Sequence, residues 1–216
     1  MFKDRREAGQ KLADALKSYK NESPLLLALP RGGVEVGYYV AQELGYDFSI
    51  LVCRKLGYPE QPEAAFGAIA EDQVIYLNPN HLRFLSNDLI RHVKEYESNE
   101  IKRRVEVYRK GEQIPELAGR TIILVDDGIA TGATIMAAVE YCKRHQAEKI
   151  VIAAPVSGKY QKQVLSKVAD ELVILETPEN FRAVSQGYQN FSEVTDRDVI
   201  RYLELYNQAP KKIGQN

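Results

Sequence analysis

The stretch that decides the fold is TIILVDDGIATGAT, which runs from Thr121 to Thr134. Its apolar run Ile122–Val125 is short and continuous, as is typical of a strand buried on both faces of a parallel sheet. A glycine-rich polar loop follows, and the residues after it predict a helix to about Arg144. Ligands of parallel α/β sheets bind beyond the carboxyl ends of the strands, where such loops turn into helices. We therefore expect a binding loop over Asp126–Thr134.

The first half of this loop suits a sugar diol. Asp126 and Asp127 are adjacent carboxylates at the tip of the strand, able to accept hydrogen bonds from two vicinal hydroxyls. Gly128 and Gly132 allow the backbone to approach a ligand closely. We expect both carboxyl groups to face a cavity beside Thr131.

The second half of the loop suits a phosphate. Thr131 and Thr134 offer hydroxyl donors, and the N–H groups of residues 131–134 open the next helix, whose N-terminus favours an anion. The two halves together describe a site for ribose 5-phosphate. The alternative is an ordinary strand-to-helix turn, in which the acidic pair and the threonines only cap the helix. No Lys follows Gly132, which excludes a P-loop.

The rest of the chain continues the alternation of strands and helices that predicts a parallel sheet. The predicted strands are Pro24–Pro30, Phe48–Cys53, Ile150–Ala154 and Leu172–Leu175, with an edge hairpin of Ala65–Ala70 and Val74–Leu77. The predicted helices are Asp4–Tyr19, Val34–Leu44 (ending at Gly45), Pro79–Lys110, Lys159–Ala169 and Asp196–Tyr206. The long helix carries a stripe of Leu82, Leu85, Leu89, Val93 and Tyr96. Residues 54–61 and 177–190 are expected to be irregular.

Composition limits the class of protein. The 216 residues fit one α/β domain with an added subdomain, and 29 basic against 30 acidic residues leave a net charge of −1. That balance makes nucleic acid an unlikely partner, although Lys102–Lys110 is a local basic stretch. Cys53 and Cys142 are not paired in sequence and are expected to be buried thiols. No signal peptide and no apolar stretch of about 20 residues is present, so we expect a cytoplasmic protein without a membrane span.

At these residues the sequence resembles the type I phosphoribosyltransferases. Val125–Thr134 resembles the family's motif for phosphoribosyl pyrophosphate (PRPP), Pro30–Gly33 its pyrophosphate loop, and Arg54–Gly57 the start of its mobile catalytic loop. The similarity extends to a group of bacterial members of unassigned substrate. It implies one α/β domain over residues 1–216, with a doubly wound, mostly parallel sheet in a core of about 21–77 and 112–175. It also implies a helical insertion over about 79–110 and a small hood subdomain over about 176–194, with the C-terminal helix.

The resemblance also implies a reaction, in which a nitrogen nucleophile displaces pyrophosphate from C1 of Mg²⁺-bound PRPP. Asp126 and Asp127 would bind the ribose, and the 5′-phosphate would lie on Gly128, Ile129, Ala130, Thr131, Gly132, Ala133 and Thr134. Pyrophosphate would be bound by Arg31, Gly32, Gly33, Arg54 and Lys55, the last two being the catalytic residues. Mg²⁺ would be held mainly by PRPP and water, with the acidic pair nearby. The loop 56–63 would close over the substrate, and the enzyme would be a homodimer.

Departures from the family pattern leave the acceptor open. Ala130 stands where hypoxanthine–guanine enzymes carry an Asp, and Tyr58 stands where adenine enzymes usually carry a second Lys. Aromatic residues Phe181, Tyr188 and Phe191 could stack on a planar base or form the core of the subdomain. His81, His92 and His145 are isolated and receive no role. A PRPP- or nucleotide-sensing regulator using the same pocket is the second hypothesis.

Overall fold

The computed structural model describes residues 1–58, 61–81 and 85–209, and for residues 61–63 the backbone alone. Its main sheet has five strands, all paired in parallel, in the order β2-β1-β6-β7-β8. These strands are β1 (Leu25–Ala28), β2 (Asp47–Ile50), β6 (Thr121–Val125), β7 (Lys149–Val156) and β8 (Glu171–Glu176). The predicted parallel strands are all present, with ends that differ by a few residues.

The strand order reverses between β1 and β6, which are neighbours in the sheet. Ala28 lies opposite Val125, and the N–H of Leu29 donates to the carbonyl of Val125 at 2.9 Å. The loops that leave these two strands therefore start side by side. Such a switch point opens a crevice at the carboxyl ends of the strands.

Helices cover both faces of the main sheet. On one face, Leu26 and Ala28 pack with α1 (Arg5–Leu16), α2 (Gly32–Leu44) and α6 (Asp196–Gln208). On the other face, Leu25 and Leu27 pack with α4 (Ala133–Arg144) and α5 (Lys159–Leu165). Successive side chains of a strand point to opposite faces, which is why an uninterrupted apolar run serves both cores. The predicted doubly wound α/β fold is confirmed.

A second sheet corrects two predictions. It is antiparallel and consists of β3 (Cys53–Tyr58), β4 (Gln61–Ala70) and β5 (Ile75–Leu77). The hairpin of β4 and β5 was expected, but it pairs with β3 instead of joining an edge of the main sheet. The prediction of a loop over 54–61 was wrong for residues 54–58, because Leu56 is fully buried and the ring of Tyr58 packs edge-on against Phe66. It was also wrong for Gln61, which begins β4. Residues 59–60 lie outside the described part of the chain.

The long helix α3 (Asn87–Arg109) starts later than predicted, because Ser86 caps it by accepting from the N–H of Leu89 at 3.1 Å. Its buried face was predicted only in part, since Leu85 and Val93 of the predicted stripe pack against the core. The buried residues are Glu97, Ser98, Ile101, Arg104 and Tyr108, whereas Tyr96 of the predicted stripe is 72% exposed. Leu85 precedes the helix, and Leu82 lies outside the described residues.

Smaller differences concern element ends. The strand predicted to run to Cys53 stops at Ile50, because Cys53 already belongs to β3. Helix α5 ends at Leu165 rather than Ala169, and the segment 177–195 contains only a short 3₁₀ turn at Val184–Gly187. Within the described ranges, no helix combines the length and the apolar character that crossing a membrane requires.

Candidate active site

The turn after β1 lies directly against the acidic loop after β6. A Cβ atom added to Gly32 would lie 1.9 Å from Oδ2 of Asp127, and one added to Gly33 would lie 2.8 Å from the carbonyl oxygen of Val125. Only glycine permits this approach of two backbones. The peptide bond between Pro30 and Arg31 is cis. The structure thus brings together the predicted pyrophosphate turn and the predicted ribose loop.

Asp126 is the more accessible residue of the acidic pair. It is half-buried, and its Oδ1 accepts a hydrogen bond from the N–H of Asp127 at 2.8 Å. Burial, and then the neighbouring Asp127 charge, raise the pKa of Asp126 well above its usual value. A nearby cation would therefore stabilise the ionised form of the Asp126 carboxyl group.

Asp127 faces the protein instead of a cavity. It is 8% exposed, and its Oδ2 accepts from Nε of Arg5 at 2.8 Å. Burial raises the pKa of Asp127, while the guanidinium of Arg5 opposes that rise. The hydroxyl of Tyr188 donates to its carbonyl oxygen. The expectation that both carboxyl groups face a cavity beside Thr131 is therefore wrong for Asp127; Asp126 is partly exposed, but it is not among the residues that line the described cavity beside Thr131.

The phosphate loop ends where α4 begins. Gly132 is its N-cap residue with a φ of +77°, and in the described structure no side chain makes a capping hydrogen bond to it. The first four N–H groups of a helix have no partner within the helix. Capping is therefore not what the acidic pair and the threonines do here, and Thr131 is exposed.

The start of the same loop is anchored in the core. The N–H of Ile129 donates to the carbonyl of Val156 at 2.9 Å, and Ile129 is buried. A Cβ atom added to Gly128 would lie 2.5 Å from Cγ1 of Val184, so this glycine packs against the 3₁₀ turn. Ala130 is half-buried. Of the seven predicted phosphate-binding residues, these three position the loop. The other four, Thr131–Thr134, lie on the side of the loop that borders the cavities.

Two cavities border the loop. A cavity of about 860 Å³ lies between β3 and α3 and is lined in part by Pro30, Arg54, Lys55 and Thr134. A second, of about 440 Å³, lies beside β4 and β5 and is lined in part by Thr131, Gly132 and Ala133. Both volumes are in the range of ligand sites. The larger cavity gathers predicted residues from three separate stretches of sequence.

The predicted basic residues differ in their surroundings. Arg31 donates from Nη2 to Oε1 of Glu193 at 2.7 Å and lies 3.9 Å from Asp196. Arg54 donates from Nε to Oε2 of Glu97 at 2.7 Å. Lys55 is exposed and lines the larger cavity.

The aromatic residues of the 176–194 segment mostly pack into the protein. Tyr188 is 5% exposed and packs with Phe2, and Phe181 packs against the same cluster. Phe191 is 38% exposed, and its ring centroid lies 4.0 Å from Cζ of Arg5. Tyr188 and Phe181 thus serve as core residues of this cluster. Of the histidines, only His92 lines the larger cavity, as far as the described residues show.

A magnesium ion fits this site only together with a substrate. Within the described ranges, no group of three or more His, Cys, Asp or Glu side chains is arranged to hold a metal. Asp126 is nevertheless a half-buried carboxylate beside a second one, and Mg²⁺ is commonly bound by one or two carboxylates plus phosphate oxygens and water. Asp126 is the residue that would approach the ion.

Sequence reasoning missed Arg5, Glu97 and Glu193, the three counter-charges of the site. Each is far in sequence from its partner; Arg5 and Asp127 are 122 residues apart. No local pattern marks any of them, because each lies in an ordinary charged stretch.

Comparison with known proteins identifies the class. The family model of the phosphoribosyl transferase domain matches residues 3–189, so the chain belongs to the phosphoribosyltransferase family. It is similar to "Putative phosphoribosyl transferase Rv0571c" of Mycobacterium tuberculosis, with 42% identity over 206 residues. That match covers 94% of this chain and 46% of the relative, so the chain spans about half the length of this curated relative.

The chain is also similar to two other proteins. TT1426 from Thermus thermophilus, which has a crystal structure, shares 37% sequence identity with this chain. Its structure matches with a TM-score of 0.81, and the match covers 95% of this chain and 99% of that one. A ribose-phosphate pyrophosphokinase of Marinomonas sp. is 40% identical over 67 residues, which is 30% of this chain and 21% of that protein.

Proposed function

We propose that the protein transfers 5-phosphoribose from Mg²⁺-bound PRPP to a nucleobase-like acceptor and releases pyrophosphate, as in nucleotide salvage. The observation that carries this proposal is the contact between Gly32 and Asp127 at the switch point of the sheet. The turn proposed for pyrophosphate and the loop proposed for ribose are the two segments that meet at this contact. The uncapped α4 begins at Ala133, directly after the loop proposed for ribose, and its Thr134 lines one cavity together with Pro30 of the turn.

The roles follow from the order of these parts along the crevice. The N–H groups of residues 131–134 bind the 5′-phosphate, and the acidic loop accepts hydrogen bonds from the ribose hydroxyls. Backbone N–H groups of Gly32 and Gly33 bind the pyrophosphate, helped by the cationic side chains of Arg31, Arg54 and Lys55. Magnesium, when bound with PRPP, would neutralise part of the charge on the leaving group. Fixed donors and cations stabilise departing charge best when water is excluded.

The partners are proposed on the same basis. The acceptor is a nucleobase-like small molecule. No particular base is assigned, because Ala130 and Tyr58 depart from the patterns of the hypoxanthine–guanine and adenine enzymes. A homodimer and a cytoplasmic location, both expected from the sequence, stay predictions.

A second candidate is a regulator that binds PRPP or a nucleotide without turnover. One observation favours it: Arg54, a predicted catalytic residue, lies on a strand and is paired with Glu97 of α3. Through this ion pair, a ligand that binds at Arg54 can change the position of α3.

Thermal melting with Mg²⁺ and PRPP tests the shared binding step. A ligand at about a hundredfold its dissociation constant adds about 2.7 kcal/mol. For a chain of this length that is a rise in Tm of roughly 5–10 °C. Asp126→Asn should cut the rise to about half or less, because tenfold weaker binding leaves about 1.4 kcal/mol, whereas Asp14→Asn, at an exposed aspartate of α1, should keep it. No rise for the wild-type protein at millimolar PRPP would contradict both candidates.

Pyrophosphate release by the wild type separates the enzyme from the regulator, and Lys55→Ala tests the role of this residue in turnover. Pyrophosphate release is measured over a panel of nucleobases for the wild type and the variant, with PRPP binding measured in parallel. An enzyme should lose most of its turnover while PRPP still binds, because the charge lost acts mainly on the departing pyrophosphate. Lys11→Ala, on the exposed side of α1, is the control. Turnover that survives Lys55→Ala would remove this residue from the site.

A further inference from the structure

The two aspartates of the acidic loop are adjacent in sequence but have different surroundings. Asp126 is half-buried, and the hydrogen bond described for its side chain comes from the neighbouring backbone N–H. Asp127 is buried, and its carboxylate is bound by Arg5 at 2.8 Å. The two residues are therefore not equally available to a ligand.

Arg5 itself is held in place on several sides. It is 4% exposed, its Nη1 donates to the carbonyl of Ser192 at 2.7 Å, and its guanidinium lies over the ring of Phe191. The carboxylate of Glu35 lies 4.0 Å away. If Asp127 turned toward a ligand, Arg5 would lose its closest counter-charge in a buried place, which is strongly destabilising.

Asp127 also joins three parts of the protein. Its carboxylate lies against Gly32, its carbonyl oxygen accepts from Tyr188, and its ion pair reaches α1 through Arg5. Any shift of this side chain would disturb the pyrophosphate turn, the 176–194 segment and α1 together. That position suits a residue that fixes the loop rather than one that moves to a substrate.

We infer that Asp126 alone of the pair contacts the ribose, and that Asp127, held by Arg5, is a positioning residue. This inference rests on the proposed function, because it assigns parts within the same PRPP site. Asp127 fixes the loop on which Asp126 stands and the turn that meets the pyrophosphate. Arg5, which touches no substrate, then influences PRPP affinity through Asp127.

The test combines four variants: Asp126→Asn, Asp127→Asn, Arg5→Gln and the double variant Asp127→Asn/Arg5→Gln. The affinity for PRPP with Mg²⁺ is measured by calorimetry well below the melting temperature, and Tm is measured without ligand. Asp126→Asn should weaken binding about tenfold or more without lowering Tm, since a hydrogen bond to a charged acceptor is lost. Asp127→Asn and Arg5→Gln should each lower Tm and weaken binding only about threefold. In the double variant the two effects should not multiply, because both changes break one interaction.

The opposite pattern would overturn the inference: Asp127→Asn weakening binding as much as Asp126→Asn, while Arg5→Gln keeps wild-type affinity. If Asp127→Asn does not fold, the double variant, which removes both charges of the pair, carries the comparison with Asp126→Asn. Failure of the proposed function looks different. In that case the wild type shows no PRPP binding and the assignment of Asp126 fails with it, whereas the Tm values still measure the coupling of Arg5 and Asp127.

Discussion

Gly32→Ala is the sharpest perturbation that the geometry of the site allows. The added methyl group would lie 1.9 Å from Oδ2 and 2.5 Å from Cγ of Asp127. A carboxylate at the end of an unrestrained side chain could rotate away from the methyl group. Asp127 cannot do so easily, because its side chain is short and bound to Arg5.

The size of the effect follows from the ion pair. Accommodating the methyl group means moving Asp127 away from Arg5 or moving the turn, and breaking a buried pair costs about 3–5 kcal/mol. A chain of about 200 residues loses roughly 2–4 °C per kcal/mol, so Tm should fall by roughly 6–20 °C. PRPP affinity should fall as well, because the same displacement opens the contact between the two loops.

Gly158→Ala is the matched control. Gly158 has an ordinary φ of −67°, and its added methyl group would meet Oε1 of Gln161, the end of a flexible side chain, at 2.9 Å. Its Tm should change by a few degrees at most. Both variants are compared by circular dichroism and by calorimetry with Mg²⁺ and PRPP. If Gly32→Ala melted no lower than Gly158→Ala, the claimed contact of the two loops would be wrong.

Two further predictions concern titratable groups. Hydrogen bonds from Arg103 and Arg104 lower the pKa of Glu100 to about 2. The stabilising effect of this carboxylate is therefore present above the unfolded pKa of about 4.5 and is lost as the pH falls toward 2. In urea unfolding, Glu100→Gln should cost about 1 kcal/mol at pH 7 and less at pH 3, and equal losses at both pH values would contradict the ion pairs. Burial raises the pKa of Cys142 to about 12 and the pKa of Cys53 well above its usual value. Both thiols should therefore react with a disulfide reagent at pH 8 only as fast as the protein unfolds. A fast phase of this reaction in the folded protein would show that one of the two thiols is accessible.

The main sheet could be predicted from sequence because its signals are local. Strand β6 is an unbroken apolar run, and its burial on both faces requires no knowledge of partners. The end of α2 was equally local, since Gly45 has a φ of +71° that other residues avoid. The two binding turns follow strands of this kind, so their meeting at one edge of the sheet was also predictable.

The second sheet and α3 could not be predicted in the same way. Gly57 and Pro59 indicate a loop, but Leu56 is drawn into the core and Gly57 lies at an irregularity of the ladder. In α3, Val93 of the apolar stripe packs against the core, but the charged residues Glu97 and Arg104 are buried there too. Arg104 pairs with Glu100 one turn earlier in the same helix, whereas Glu97 pairs with Arg54 of β3, a tertiary contact that the helical pattern does not reveal.

The same kind of pairing decides which parts of the site can respond to a ligand. The pair of Arg31 and Glu193 has side chains that are 35% and 72% exposed, and ion pairs near the surface contribute about 0–1 kcal/mol. Exchanging Glu193 for a phosphate oxygen therefore costs little, whereas Glu97, with a side chain that is 12% exposed, would be left buried without its partner Arg54. The pair of Arg5 and Asp127 has side chains that are only 4% and 12% exposed, and opening it costs several times more. PRPP would then draw Arg31 into the crevice while the buried pair stays closed, which makes Asp127 part of the fixed frame and Arg31 the residue that moves.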